Sequence, residues 1–92
     1  MLRRDTNADT QEDAQTLALR ALAWTLSDSG RARRLLDLTG LDPADLRERA
    51  AEPAVLGAAL GFLQSHQPDL LACAEALEVS PERLVAAQEQ LA

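Results

Sequence analysis

Apolar residues recur along this chain at helical spacing, in short runs separated by polar caps and proline. The first run predicts a helix that starts at Asp9 or Thr10, with Thr10 and Asp13 spaced as a capping box. Leu17, Ala21 and Trp24 form one stripe on it, and Leu19, Leu22 and Leu26 form a second beside the first. Two adjacent stripes make a wide apolar face, which points to burial on more than one side. Ser27-Asp28-Ser29-Gly30 reads as its stop. A short second helix follows from about Arg31 to Thr39, buried through Leu35, Leu36 and Leu38, with Gly40 as a stop in the position that favours glycine.

Asp42-Pro43 then opens a third helix, since Asp42 can cap and proline fits the first helical turn. That helix runs to about Ala51 and has Leu46 as its main anchor. Glu52-Pro53 opens a fourth in the same manner. It carries Leu56, Leu60 and Leu63 on one stripe and Val55, Ala59 and Phe62 beside it, so it is apolar nearly all round and is expected at the centre of the core. Pro68 opens a fifth helix and Ser80-Pro81-Glu82 a sixth. Strand-like alternation is absent, and β-branched aliphatics are limited to Val55, Val79 and Val85. The expectation is an all-α bundle of about five to six short helices around a central apolar helix at residues 53–65. Residues 1–9 read as a flexible tail and 10–92 as a single helical domain.

The segment Gly40-Leu41-Asp42-Pro43-Ala44-Asp45-Leu46 echoes Glu78-Val79-Ser80-Pro81-Glu82-Arg83-Leu84. Each is an apolar residue, a cap, a proline, two polar or small residues and a leucine. Capping chemistry alone generates such a corner. The corners also have the outline of a helix-turn-helix, but that reading needs cations on the second helix. The last helix sets Arg83 against Glu82 and Glu89, and the third sets Arg47 and Arg49 against Asp45 and Glu48.

Charge supports the same reading. The 92 residues carry a net charge of −6, which opposes long-range attraction to nucleic acid or anionic membranes. All nine cations are arginine, and Arg31, Arg33 and Arg34 form one local basic cluster. That cluster is either a solvated face, paired with Asp28 and Asp37, or a seat for an anionic partner. The polar start of the chain, Met1 to Thr10, has no apolar core of a secretory signal. The longest apolar stretch, Ala54 to Leu63, is about half a membrane span. A cytoplasmic location is the simplest expectation.

Candidate chemistry is sparse. Cys73 and His66 are the only residues of their types, seven positions apart with Pro68 between them. Cys73 sits among Leu71, Ala72 and Ala74, the setting of a small buried hydrophobe. His66 is expected to close the fourth helix, where its charge suits the dipole. One Cys and one His make no metal-ligand set, and the four glycines are too scattered for a phosphate loop. No catalytic residue, cofactor or metal is expected. The residues that suggest partner binding are Trp24, as a potential interface anchor; Arg31, Arg33 and Arg34; and Gly57 and Gly61, whose spacing of four leaves a smooth stripe for a second backbone.

The runs A-L-R-A-L-A-W (Ala18–Trp24) and L-T-G-L-D-P-A-D-L-R-E-R (Leu38–Arg49), with Glu52-Pro53-Ala54 and Phe62-Leu63 after them, resemble a family of short bacterial proteins known as a domain of unknown function and widespread in alphaproteobacteria. The likeness spans about residues 14 to 84 and is strongest at T-G-L-D-P-A-D-L-R. It implies a small, acidic, helical, cytosolic bacterial protein and brings no catalytic residues with it. Glu78, standing where Gly40 stands in the first corner, is a departure. The function expected is a non-enzymatic helical protein–protein interaction module or small regulatory adaptor that binds another protein or a second copy of itself. The alternative is a nucleic-acid-associated regulator using a helix corner.

Overall fold

Three side-chain caps and four prolines set the rhythm of the chain. The computed structural model describes residues 6–91, with side chains from residue 13 onward. Six α-helices are found there: α1 (Thr6–Leu26), α2 (Ser29–Thr39), α3 (Pro43–Arg49), α4 (Pro53–Gln64), α5 (Gln67–Leu77) and α6 (Pro81–Leu91). No strand is found among the described residues, so the fold is all-α. Every proline lies in the first turn of a helix, where its missing N–H is not needed.

The start of α2 differs from expectation. Asp28 does not merely end α1; its Oδ2 accepts from the Arg31 backbone N–H at 2.9 Å and so caps α2, which begins at Ser29. Asp42 Oδ1 accepts from Asp45 N–H at 2.8 Å and Ser80 Oγ from Arg83 N–H at 3.2 Å. Glu52 makes no such cap. Its carboxylate turns back and takes Arg49 Nε at 3.0 Å instead. At the N-terminus, α1 begins at Thr6, ahead of the expected Asp9 or Thr10, so Thr10 lies inside the helix. Of the tail expected at residues 1–9, residues 1–5 lie outside the described residues.

The two corners are closer kin than their sequences. Gly40 ends α2 in the left-handed region (φ 76°, ψ 5°), and its N–H donates to Leu36 O at 2.9 Å. Glu78 ends α5 in the same region (φ 61°, ψ 42°), and the next residue, Val79, donates to Ala74 O at 3.0 Å, the six-to-one bond of a Schellman motif. Among the described residues, Glu78 is the only non-glycine residue with positive φ.

Helix α4 is central, as its all-round apolarity predicts. Val55, Leu56, Ala59, Leu60, Phe62 and Leu63 are all buried, and α4 packs against α1, α2, α5 and α6. It shares the centre with α1, which touches α2, α4, α5 and α6. Ala18 and Ala21, both fully buried, keep the surface of α1 flat where neighbours meet it. Thr25, also fully buried, satisfies its hydroxyl on Ala21 O at 2.8 Å. Helix α3 is the least integrated. Leu46 is its only buried residue, and α3 makes no extensive contact with any single helix.

Candidate interaction surface

The residues singled out by the sequence do not form one site. Arg31 folds back onto α1 and is half-buried. Its guanidinium lies 3.7 Å from the centroid of the Trp24 ring, and Nη2 donates to Trp24 O at 3.1 Å and to Ser27 Oγ at 3.3 Å. This is a cation–π stack with its edge hydrogen-bonded. Trp24 is consequently half-buried with one face covered. Arg34 turns the other way, toward α5. Its Nη2 sits 3.1 Å from Asp69 Oδ2, and its guanidinium carbon is 5.8 Å from the Phe62 ring centroid. Arg33 points to neither and is exposed. The basic cluster is therefore divided among three environments. The expected partners, Asp28 and Asp37, are not the ones found.

Arg20 of α1 reaches a different element. Its Nη2 donates to Leu77 O at 3.1 Å, at the carbonyl end of α5, where a cation complements the helix dipole. Gly57 is half-buried, and a Cβ there would meet nothing within 4 Å. At Gly61 the corresponding space already holds Gln88 Nε2, 3.4 Å away, and Gln88 is bonded across to Gln64 at 2.8 Å. The smooth stripe is thus half-occupied by α6.

His66 does not close α4, which ends at Gln64. It sits at the N-cap of α5 with no side-chain cap bond, half-exposed, its Nε2 4.0 Å from Asp69 Oδ2. Cys73 lies two turns further along α5, roughly 10 Å of helix rise away, and is fully buried. Burial pushes its thiol up to about 11, against a smaller opposing pull from the Arg31 and Arg20 charges. Among the described residues no three His, Cys, Asp or Glu side chains converge as a ligand set.

What the fold does assemble is an apolar groove. Leu22 and Leu26 of α1, Ala32 and Leu36 of α2, and Pro43, Leu46, Arg47 and Ala50 of α3 line a cavity of about 460 Å³. It exists because α3 is held by Leu46 alone and stands off from the α1–α2 pair. The apolar surface does not stop at its mouth, since Leu19 and Leu26 are 41% and 39% exposed on the same stripe of α1. Trp24 is two positions from Leu22, about 200° around the helix, and so faces away. None of the six residues suggested by the sequence lines the groove. The Leu19–Leu22–Leu26 stripe was the signal that could have found it, because an apolar stripe wider than one neighbour can cover leaves a remainder exposed.

A second cleft, of about 390 Å³, lies between α1 and α6, with Asp13 and Arg83 among its lining residues. Among the described residues no helix is long and apolar enough to cross a membrane. Compared with known proteins, residues 11–92 match the family model described as protein of unknown function (DUF3572). No curated protein and no solved structure matches.

Proposed function

The chain belongs to the DUF3572 family, and we propose that it is a non-enzymatic helical interaction module, a small adaptor or regulator of the bacterial cytoplasm that binds another protein. The single observation that supports this most is the apolar groove between α1, α2 and α3, continued by exposed Leu19 and Leu26. An open apolar surface of this kind costs solubility unless something covers it. The polar constellations offer less. The Cys73 thiol is fully buried and held protonated, His66 faces a carboxylate already paired with Arg34, and Arg31 is committed to Trp24.

The nucleic-acid reading has weaker support. Two of the three clustered arginines have partners within the fold, and the second helix of the α5–α6 corner carries Glu82 and Glu89 beside Arg83. The test is capture from the native host with wild-type protein and with Leu26→Glu, the latter checked for helicity. Leu26 is open enough to accept a carboxylate without burying it. A partner retained by wild type, confirmed with purified components and lost with Leu26→Glu, is the expected result. Equal binding by both proteins, or salt-dependent retention of DNA by wild type, counts against the proposal.

A further inference from the structure

We infer that the α1–α2–α3 groove receives the apolar face of an acidic amphipathic helix from a partner protein, with its carboxylates meeting Arg47 and Arg33; this rests on the interaction-module reading above. Three observations favour that occupant. The first is length. The apolar strip runs from Leu19 to Leu26, seven residues or about 10 Å, which is two turns of a helix. A docked helix presents anchors at i, i+3 or i+4, and i+7 over that span. A small ligand confined to the cavity would leave Leu19 uncovered.

The second is charge. Although the chain is −6 overall, no carboxylate lines this groove, and Arg47 does. Arg33 is exposed and lies about 60° around α2 from Leu36, at the groove's outer edge. Among the described residues neither arginine has an ion-pair partner. Among the described residues, then, Arg33 and Arg47 are not held in an ion pair as Arg34 is, nor stacked on a ring as Arg31 is.

The third concerns the rival occupant, a second copy. Its own exposed stripe, Leu19 and Leu26, has Thr16, Arg20 and Ala23 on its outer flank, which supply no carboxylate to meet the rim arginines. An acidic helix instead meets positive charge only where it docks, so the rim selects orientation as well as partner.

The probe is a pair of synthetic helical peptides. They have identical leucines at i, i+3, i+4 and i+7 and differ only in flanking residues, Glu in one and Lys in the other. Binding to full-length protein is followed by amide chemical shifts, with light scattering on the protein alone. The inference expects the Glu peptide to shift amides of α2, α3 and the second half of α1, and to bind about 5-fold or more tighter than the Lys peptide at low salt. The double reversal Arg33→Glu, Arg47→Glu should invert that preference while Leu19, Leu26 and the fold stay intact. Equal binding of both peptides in the groove overturns the charge inference and leaves the interaction module standing. Shifts that map elsewhere overturn the groove assignment. No binding by either peptide, with protein that is monomeric, overturns the inference, and the capture experiment with Leu26→Glu then decides the interaction-module reading separately. A dimer whose interface is lost in Leu26→Glu replaces the partner helix with a second copy.

Discussion

The two helix corners make opposite predictions for two backbone positions of the same conformation. Glu78 and Gly40 both end a helix in the left-handed region, at φ 61° and φ 76°. A side chain there crowds the following carbonyl and costs roughly 1–2 kcal/mol. Glycine avoids that cost but loses more freedom on folding, by about 0.4–1 kcal/mol. Replacing Glu78 with Gly therefore stabilises the fold by about 0.5–1 kcal/mol net, and removing a carboxylate from the negative end of the α5 dipole adds a few tenths. Replacing Gly40 with Ala does the reverse, at a cost of about 1 kcal/mol. No neighbour lies within 4 Å of a Cβ at Gly40, so that cost is backbone strain and not a clash. Urea unfolding followed by circular dichroism reads both, and in a domain this size about 1 kcal/mol moves the thermal midpoint by roughly 4–8 °C. Glu78→Ala separates the terms, since it removes the charge and keeps the strained φ. If Glu78→Gly gains no more than Glu78→Ala, the strain argument is wrong.

Two further perturbations test the interior and the arginine stack. Cys73 is buried and its thiol raised from 9.0 to about 11. The unfolded chain therefore releases this proton first as pH rises, so stability is fully present below about pH 9 and falls between there and about 11. The loss is at most about 3 kcal/mol; Cys73→Ala should flatten this limb, and a wild-type stability that stays constant from pH 8 to 11 would refute it. Arg31→Ala uncovers one face of Trp24, whose ring lies 3.7 Å from the guanidinium. The expected results are a red-shifted tryptophan emission, easier acrylamide quenching and a loss of about 1 kcal/mol, with unchanged emission as the contrary result.

The helices were legible because their boundaries depend on local chemistry. Asp42 with Pro43 and Ser80 with Pro81 cap and start helices whatever surrounds them, and α3 and α6 begin there. Gly40 stops α2 for an equally local reason. The misread boundaries are those where two local roles compete. Asp28 can end α1 or cap α2, and its reach to the Arg31 N–H decides for α2. His66 can close α4 or precede α5, and Ser65 takes the closing role with its N–H on Gly61 O. Glu78 was a departure in residue type and none in backbone, because the Val79 bond to Ala74 O secures the left-handed turn without glycine.

The proposed binding surface was less legible because it is a remainder. Whether Arg31, Arg33 and Arg34 form a cationic patch depends on what α1 and α5 place beside them. Trp24 removes the first and Asp69 the third, and neither residue is near the cluster in the α2 sequence. The groove likewise exists only through a shortfall. Helix α3 has seven residues and one buried anchor, too little to close over the second stripe of α1. An apolar stripe says how much surface needs cover; only the packing of the whole chain says how much of that need is left. On α1 the uncovered part is Leu19, Leu26 and the floor beneath α3, while Leu38, expected to help bury α2, is exposed instead, as is Leu71 of α5. Shortening α3's standoff by filling that floor, for example with Ala50→Leu, should therefore stabilise the free protein and abolish partner binding together, whereas a groove without a function would show only the first effect.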